Sequence, residues 1–363
     1  MAMSGGIDSS VAAIMLHQQG FEVVGITMKT WDYASSGTGK KETGCCSLDS
    51  INDARSIAVQ YGFPHFILDI RNEFGEHVID NFVDEYMAGR TTNPCVMCNT
   101  HIKWEALLKR ADMLQCDYIA TGHYANVRME NGRAVISRGL DAGKDQSYVL
   151  WGVSQECLQR TLFPIGGFTK SRIREMAREM GLHELADKSE SYEICFIPDN
   201  DYRSFLRHRV DGLDEKLAGG HFTDQDGKIL GTHKGYPFYT IGQRKGLDLA
   251  MGEPVYVTAI HPETNTVVLG PAEALQRTTM RVRAVNLVKH HVLEHPQEAI
   301  TKIRYKDPGT VSTISQQGDY MDVIFHSPVS AIAPGQSAVF YDGDDVIGGG
   351  FIDTVPDLTL SGS

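Results

Sequence analysis

The stretch Ser4-Gly5-Gly6-Ile7-Asp8-Ser9-Ser10 has the residue types of an anion site, and an apolar helical run that stops at Gly20 follows it. Two adjacent glycines permit a tight turn with open amide N–H groups, and the positive end of a helix attracts negative charge. The stretch lacks the lysine of the GxxxxGK[ST] loop. It therefore predicts a phosphate-binding turn of another kind. An ordinary glycine turn capped by serine is the simpler alternative.

Cysteines form the second group of chemically capable residues. Cys95 and Cys98 lie in a CxxC pair just before a helix predicted over His101 to Met113, and Cys98 is near the helix N-terminus, which stabilises a thiolate. The pair alone is compatible with redox chemistry, a zinc half-site or two buried thiols. Zinc is disfavoured because no second CxxC exists. Cys195, between Ile194 and Phe196, is the type of residue usually buried in a strand, but together with Cys98 and the phosphate turn it suggests a pair of thiols that handle sulfur.

The elements that must position these residues alternate between strands and helices. Strands are predicted at 21–28, 66–70 and 117–121, and helices at 48–61 (capped by Ser47), 74–87, 101–113 and 170–180. Such alternation predicts an α/β fold with a parallel sheet, whose ligands bind at the carboxyl ends of the strands. The phosphate turn, Met28 and Gly122-His123 all fall at strand ends. Only Met1–Met3 precede the turn, so either the first strand is a stub or the chain lacks residues that a natural start would supply.

The pattern changes near residue 210. Residues 212–275 are glycine-rich with hairpin signals at Asp226-Gly227 and Glu263–Asn265, and six short apolar runs between Val282 and Ile352 predict a small β-barrel. We therefore predict a catalytic domain over 1–208, a small central β-rich domain over 209–275 and a C-terminal β-barrel over 276–363.

Composition restricts the class of protein. The chain has 363 residues, 42% of them hydrophobic, and no apolar run approaches the ~20 residues of a membrane span. Seven unevenly placed cysteines and no signal-peptide pattern indicate a cytoplasmic protein rather than a secreted one. A net charge of −12 argues against indiscriminate nucleic-acid binding. Basic residues nevertheless outnumber acidic ones over 277–307, which is either a solvated face or a surface for a selective RNA.

The first motif resembles the SGGxDSS pyrophosphatase-type loop (PP-loop) of enzymes that cleave ATP between its alpha and beta phosphates, a motif shared by amidation, ligation and sulfur insertion. The chain as a whole resembles the tRNA-specific 2-thiouridylases through nearly its full length. The matching segments are Ser4–Ser10, Met28-Lys29, Gly44–Ser47, Asn93–Asn99, Thr121–Tyr124, Lys144–Tyr148, Ile194–Pro198, Gly242–Gly246 and Ala333–Gln336.

This resemblance implies an adenine-nucleotide alpha-hydrolase-like catalytic domain, a tRNA-binding barrel and 2-thiolation of the wobble uridine in the anticodon stem-loop. ATP adenylates the uridine 2-oxygen, and sulfur then arrives from a cysteine persulfide supplied by a sulfur-relay protein or a cysteine desulfurase. Cys98 is the implied nucleophile and Cys195 the persulfide carrier, joined in a transient disulfide. Asp8 would help to hold Mg²⁺.

The resemblance also implies three sets of contact residues. ATP would be bound by Ala2, Met3, Ser4, Gly5, Gly6, Ile7, Asp8, Ser9, Ser10, Met28 and Gly122. The target base would be contacted by Asn93, Pro94 and Cys95. The tRNA would be contacted by His123, Lys144, Asp145, Gln146, Arg304, Tyr305 and Gln336.

One position departs from the family pattern, since Cys95 stands where members commonly have aspartate. A hypothesis that follows is an iron–sulfur cluster held by Cys95, Cys98 and Cys195. We expect the other cysteines, Cys45, Cys46, Cys116 and Cys157, to be structural. Two other functions stay open: another PP-loop ligase or amidotransferase, such as an argininosuccinate-synthase-like enzyme, and a non-catalytic tRNA-binding protein.

Overall fold

The computed structural model describes residues 1–31, 47–188, 194–197 and 201–353. Its α-helices are α1 (Ile7–Gln18), α2 (Leu48–Tyr61), α3 (Arg71–Phe74), α4 (Asp80–Met87), α5 (Pro94–Cys98), α6 (Trp104–Met113), α7 (Gln155–Gln159), α8 (Lys170–Glu179), α9 (His183–Asp187), α10 (Tyr202–Arg209) and α11 (Leu213–Lys216). The strands begin with β1 (Gly25–Lys29), β2 (His65–Asp69), β3 (Ile119–Ala120), β4 (Ala125–Glu130), β5 (Arg133–Arg138) and β6 (Thr161–Leu162). They continue with β7 (Gly220–Thr223), β8 (Ile229–His233), β9 (Tyr256–His261), β10 (Thr266–Gly270), β11 (Gln276–Leu287), β12 (Gln297–Lys302), β13 (Thr310–Gln317), β14 (Tyr320–Ser330), β15 (Ser337–Asp342) and β16 (Asp345–Ile352).

The chain divides into two compact units. The first contains Met1–Ile79, Pro94–Asp201 and Asp344–Val346, and the second contains Asp80–Asn93, Tyr202–Gly343 and Ile347–Ser363. Each unit is therefore assembled from separate stretches of the sequence. Among the described residues, no helix combines the length and apolar character needed to cross a bilayer.

The first unit is built on a parallel sheet. β1 pairs with β2, and β3 pairs with β6, both in parallel. Residues 1–3 lie between these pairs: Ala2 N donates to Ala120 O (2.8 Å), and Met3 N donates to Ile26 O (2.8 Å). Residues 1–3 thus form the short strand that leads into the turn. The chain order reverses at the stub, so the turn that follows it lies at the switch point where such sheets bind ligands.

Helices α1, α2, α8 and α9 share the main apolar core of this unit. α2 spans the predicted residues because its signals are local. Ser47 Oγ accepts from Ser50 N, and Gly62 ends the helix with φ +78°. The helix predicted over 74–87 lies within helical structure that covers residues 71–87, with a π-helical turn at Gly75–Ile79 between α3 and α4.

The helix predicted from His101 begins seven residues earlier. Helical structure runs from Pro94 through a π-helical turn at Asn99–Lys103 and on into α6. Pro94 is the first residue of α5, where its missing N–H and fixed φ are favourable. Cys95 therefore lies in the first turn, and Cys98 lies beyond it rather than before a helix.

The second unit contains the predicted barrel. Strands β11, β14, β13, β12, β15 and β16 follow each other in hydrogen-bonded order, and a further β11–β16 pairing closes the ring. The six strands enclose a core of Met280, Val282, Ile314, Phe340 and their neighbours. A smaller four-stranded sheet, in the order β8-β7-β10-β9, contains both predicted hairpins. α4 also belongs to this unit: Phe82 contacts Phe205 and Tyr86 contacts Tyr202 through their rings.

Candidate functional site

The glycine–serine turn joins the stub strand to α1. Gly5 has φ +69°, and Gly6 is the N-cap of α1 without any side-chain capping bond. Ser9 Oγ and Ser10 Oγ both donate to Gly6 O (3.1 and 2.9 Å), and Ser4 N donates to Ser9 Oγ (3.1 Å). The hydroxyls thus fix the turn and do not cap the helix, contrary to the alternative of an ordinary serine cap. The first-turn amides are therefore not capped by a side chain, and such amides can bind an anion.

Two glycines of the site are required by close packing. A Cβ on Gly5 would lie 2.0 Å from Ser50 O, and one on Gly122 would lie 2.8 Å from Ser9 N. Gly122 lies two residues after the end of β3 and packs against the backbone at the start of α1. The structure brings the predicted nucleotide-binding residues Gly122 and Ser4–Ser10 together.

The other predicted nucleotide-binding residues lie in the adjoining strands. Ala2 and Met3 use their backbone N–H groups in the sheet, and the Met3 side chain is buried in the core. Met28 is half-buried near the end of β1. Ala2 and Met3 therefore fix the origin of the turn through their backbones.

The carboxylate of Asp8 is held by two side chains. Lys170 Nζ donates to Asp8 Oδ1 (2.8 Å) and Oδ2 (2.7 Å), and Tyr124 Oη donates to Oδ1 (2.6 Å). The Lys170 side chain is only 9% exposed, whereas that of Asp8 is 31% exposed. A buried ammonium thus lies beside the phosphate turn with Asp8 as its counter-ion.

The CxxC pair lies on α5. Cys95 is exposed and Cys98 is buried. The next residue, Asn99, is 1% exposed, and its Nδ2 donates to Val149 O (3.0 Å). This bond fixes the helix at the point where the π-helical turn begins, directly after Cys98.

Cys195 lies in a turn, not in the strand that its neighbours suggest. Ile197 N donates to Ile194 O (2.8 Å), and Phe196 is buried against Phe74 with ring centroids 5.7 Å apart. Cys195 itself is half-buried. The aromatic contact anchors the turn that carries Cys195.

The remaining cysteines agree with a structural role where the structure describes them. Cys157 is buried, and this burial raises the pKa of its thiol. Cys116 Sγ contacts Leu114 O at 3.8 Å. Cys45 and Cys46 lie outside the described residues.

The iron–sulfur hypothesis is not supported. Within the described ranges, no group of three or more His, Cys, Asp or Glu side chains could hold a metal ion. Cys95, Cys98 and Cys195 are therefore not gathered into a ligand set, and Cys95 points to solvent while Cys98 is buried. Asp8 alone supplies one carboxylate, which suits a magnesium ion shared with the phosphates of a substrate.

The predicted RNA-contact residues Lys144, Asp145 and Gln146 lie in the loop formed by residues 139–147. Asp145 shapes this loop, because its carboxylate accepts from Gly139 N (3.1 Å), Ser147 N (3.0 Å) and Ser147 Oγ (3.0 Å). Gln146 Oε1 accepts from Tyr124 N (3.0 Å). Both side chains therefore have structural partners within the protein.

His123 is half-buried beside Trp104, with ring centroids 5.4 Å apart, and its Nδ1 lies 2.8 Å from Thr121 Oγ1. Burial, with a smaller contribution from the charge of Lys103, lowers the pKa of His123 to about 3. The imidazole is therefore neutral near pH 7. It can hydrogen-bond or stack but cannot attract a phosphate by charge.

In the second unit, Arg304, Tyr305 and Lys306 form an exposed basic and aromatic tip. Asp307 is buried beneath it and accepts from Ile303 N (2.8 Å) and Gly309 N (3.2 Å). The predicted RNA contacts Arg304 and Tyr305 are thus presented to solvent by a fixed loop.

Other basic residues of the 277–307 stretch are neutralised. Arg281 pairs with Asp322 (2.7 Å), Arg283 with Glu85 (3.3 Å), and Lys289 with Asp342 (2.8 Å). Much of the basic stretch therefore consists of ion-paired residues, as the solvated-face alternative predicts.

Gln336, a predicted RNA contact, also hydrogen-bonds within the second unit. Its Nε2 donates to Thr91 O (3.3 Å) and Thr92 O (3.5 Å), just before the predicted base-contact residue Asn93. Thr91 N also donates to Pro334 O (2.9 Å). Gln336 thus positions the segment that leads into α5.

Sequence reasoning missed Lys170, Tyr124 and Glu85. Lys170 was visible only as the first residue of a helix, 162 positions away from Asp8. Tyr124 was recognised as part of a motif, but not as a partner of Asp8. Glu85 is buried and accepts from Arg90 Nε (2.7 Å) and Arg283 Nη2 (3.3 Å). An acidic residue in a predicted amphipathic helix gave no signal of this burial.

Comparisons with known proteins agree with this arrangement. Family profiles described as tRNA methyl transferase HUP domain, tRNA methyl transferase PRC-barrel domain and Aminomethyltransferase beta-barrel domain match residues 1–199, 204–271 and 277–352. Proteins named tRNA-specific 2-thiouridylase MnmA are similar over nearly the whole chain. The one from Amoebophilus asiaticus is 64% identical over 97% of this chain and 94% of its own length. Those from Cytophaga hutchinsonii (64%; 97% and 96%) and Salinibacter ruber (58%; 98% and 94%) are similar to the same extent. The chain therefore belongs to the tRNA-specific 2-thiouridylase family.

Proposed function

We propose that this protein replaces the 2-oxygen of the wobble uridine in tRNA with sulfur, at the expense of ATP. The observation that carries the proposal is that one unit holds both an uncapped helix N-terminus after a glycine turn and the thiols of Cys98 and Cys195. The first feature suits the phosphates of ATP, and the second suits sulfur transfer. Identity of 64% to proteins named for this reaction supports the same conclusion.

The first step activates the base. The uridine 2-oxygen is part of a stabilised carbonyl and leaves poorly, so it attacks the alpha phosphate of ATP, and pyrophosphate departs. The amides at the start of α1 stabilise the negative charge of the phosphates. Asp8 would help to hold a Mg²⁺ ion, which would supply further positive charge for the leaving group.

The second step transfers sulfur. The terminal sulfur of a Cys195 persulfide attacks C2 of the adenylated base, and AMP leaves with the oxygen. The Cys98 thiolate then attacks the Cys195 sulfur, which releases the 2-thiouridine and forms a Cys98–Cys195 disulfide. In an alternative order, Cys98 first releases hydrogen sulfide from the persulfide, and this sulfide attacks C2. Either order ends in the same disulfide, which a thiol reductant must open before the next turnover.

RNA contacts are divided between the two units in this proposal. Loop 139–147 would contact the tRNA through Lys144, with Asp145 and Gln146 fixing the loop. The exposed tip of Arg304 and Tyr305 would supply a cation and a stacking surface. Asn93, Pro94 and Cys95 would contact the target base, which an anticodon loop presents unstacked at low cost. The sulfur donor, a relay protein or a cysteine desulfurase, would reach Cys195 because that thiol is half-exposed.

The deciding experiment is mass spectrometry of tRNA after incubation with ATP, Mg²⁺ and a persulfide source. We expect a uridine with the mass increase of sulfur replacing oxygen; the smaller increase of a methyl group, or none, would overturn the proposal. Cys98→Ser and Cys195→Ser should each abolish the product, whereas Cys157→Ser, a buried thiol with no role in the reaction, should retain it. Release of pyrophosphate that depends on tRNA separates this function from that of a non-catalytic RNA-binding protein. Retained ATP-dependent activity in both Cys98 and Cys195 variants would favour a ligase or amidotransferase.

A further inference from the structure

Loop 139–147 connects to the phosphate turn through two hydrogen-bonded paths that meet at Asp8. We propose that Tyr124 and Lys170 are positioning residues through which this loop, when it binds RNA, sets the carboxylate of Asp8 for ATP cleavage. This inference rests on the proposed function, which assigns RNA contact to the loop. It adds a route by which RNA binding controls the ATP step.

The first path runs through Tyr124. Tyr124 N donates to Gln146 Oε1 (3.0 Å), and Gln146 N donates back to Tyr124 O (2.8 Å). A Cβ on Gly139 would lie 2.7 Å from Tyr124 O, so both ends of the loop pack against the Tyr124 backbone. The Tyr124 hydroxyl then donates to Asp8 Oδ1 (2.6 Å). A shift of Gln146 is therefore transmitted directly to the tyrosine that holds Asp8.

The second path runs through Lys170. Lys170 N donates to Asp141 Oδ2 (2.9 Å), and Asp141 also accepts from Gly143 N (3.0 Å) and Lys144 N (2.9 Å). The first residue of α8 is thus attached to the same loop, directly beside Lys144. The Lys170 ammonium donates to both oxygens of Asp8.

The contact between Lys170 and Asp8 is sensitive to nearby charge because Lys170 needs a compensating anion. An ammonium at the N-terminus of a helix is repelled by the helix dipole, and burial removes the water that would otherwise solvate it. Asp8 supplies the negative charge that compensates both effects. When Asp8 turns toward a magnesium ion, Lys170 requires another anion, and the phosphates at the start of α1 provide one. The position of Lys170, which the loop controls, therefore decides how readily Asp8 becomes available.

The loop itself is suited to transmit a change as a unit. Asp145 accepts three hydrogen bonds that join its two ends at Gly139 and Ser147. Asp141 fixes the turn at its centre. A phosphate that binds Lys144 would thus move the loop as one body, and Tyr124 and Lys170 with it.

The test is the ratio of pyrophosphate release with and without unmodified tRNA, measured on full-length Tyr124→Phe and Lys170→Met. We expect this ratio to fall about tenfold, in the range for loss of a hydrogen bond to a charged group. The affinity for tRNA should stay within about twofold because Lys144 is unchanged. A non-cleavable ATP analogue should also tighten tRNA binding by the wild-type protein, and by the variants less, because both ligands act on the same arrangement of Asp8. Lys170→Arg should restore most of the ratio, since a guanidinium can also bridge both carboxylate oxygens.

Matched controls separate coupling from general destabilisation. Tyr118→Phe removes an exposed hydroxyl of the same unit, and Arg172→Met removes an exposed cation two residues after Lys170 on α8. Both should keep the wild-type ratio. A variant that merely folds poorly loses the rates of pyrophosphate release with and without tRNA together, so their ratio stays unchanged. Such a result for Tyr124→Phe and Lys170→Met would overturn the inference. If the wild-type protein thiolates tRNA and both variants keep the wild-type ratio, the coupling is refuted and the proposed function stays intact. A wild-type protein without thiolation would overturn both.

Discussion

Gly122→Ala tests the close approach on which the nucleotide site depends. The new Cβ would lie 2.8 Å from Ser9 N, about 0.6 Å short of the 3.4 Å at which ordinary contact begins. Asp8 C and Ser9 Cα would each lie 2.9 Å away, so the clash is with backbone that cannot rotate aside. Either the end of β3 or the start of α1 must move.

The expected effect follows from this displacement. Overpacking of this kind costs about 1–3 kcal/mol of folding free energy. A shift of about half an ångström in the groups that hold the phosphates should reduce the rate of pyrophosphate release about tenfold or more, since a 1 Å error can cost about 100-fold. ATP affinity should weaken in parallel because the first-turn amides no longer converge on the phosphates.

Isothermal titration with ATP, tRNA-dependent pyrophosphate release and thermal unfolding measure these effects. Gly167→Ala is the matched control because a Cβ there meets nothing within 4 Å and its φ is not positive. It should leave ATP affinity and unfolding unchanged. An alanine at position 122 with wild-type affinity, rate and melting temperature would refute the packing argument for the nucleotide site.

Two further predictions concern ionisable groups. Glu85→Gln should lower the unfolding free energy by about 1–2 kcal/mol at pH 7, since it weakens charged bonds to Arg90 and Arg283, which are each about one-third exposed. Burial raises the pKa of Glu85, but the two arginines outweigh burial and the net pKa is lowered. The difference in urea unfolding between the wild-type protein and Glu85→Gln should therefore be present above about pH 4.3 and vanish as the pH falls through the lowered pKa. An equal difference at pH 3 would contradict this. His123 stays neutral down to about pH 3, whereas the unfolded chain takes up a proton below about pH 6.5, so this residue should destabilise the fold by about 2 kcal/mol at pH 5. His123→Phe should remove that acid-dependent loss, and identical pH profiles of unfolding for the two proteins would contradict it.

Sequence patterns predicted elements well where their determinants are local. α2 is delimited by Ser47 and Gly62, and both lie within one residue of its ends. The six barrel strands alternate and are separated by short turns, which is a local signal too. The helix predicted to start at His101 starts at Pro94 instead, although proline is a usable sign of a first helical residue. The π-helical turn at Gly75–Ile79 was missed because the apolar spacing continues across it.

In the candidate site too, local features could be predicted from the sequence and long-range contacts could not. The phosphate turn is contiguous in sequence and could be predicted from its residue types. The clamp on Asp8 could not, since Tyr124 and Lys170 lie 116 and 162 positions away and meet it only after the sheet has formed. The hydrogen bond from Gln336 to Thr91 was similarly hidden, because it spans 245 positions. Such contacts depend on topology, which the pattern of single elements does not specify.

The division of the chain into units has a consequence for synthesis and for fragments. α4 and the segment up to Asn93 are made early by the ribosome, yet they belong with residues from Tyr202 onward, which are made much later. Until α10 emerges, Phe82 and Tyr86 lack the rings of Phe205 and Tyr202 and expose apolar surface to chaperones. A fragment that begins at Tyr202 would carry the complementary defect. The second unit should therefore be obtained as an independent fold only when residues 80–93 are supplied with it, as a separate peptide or by circular permutation.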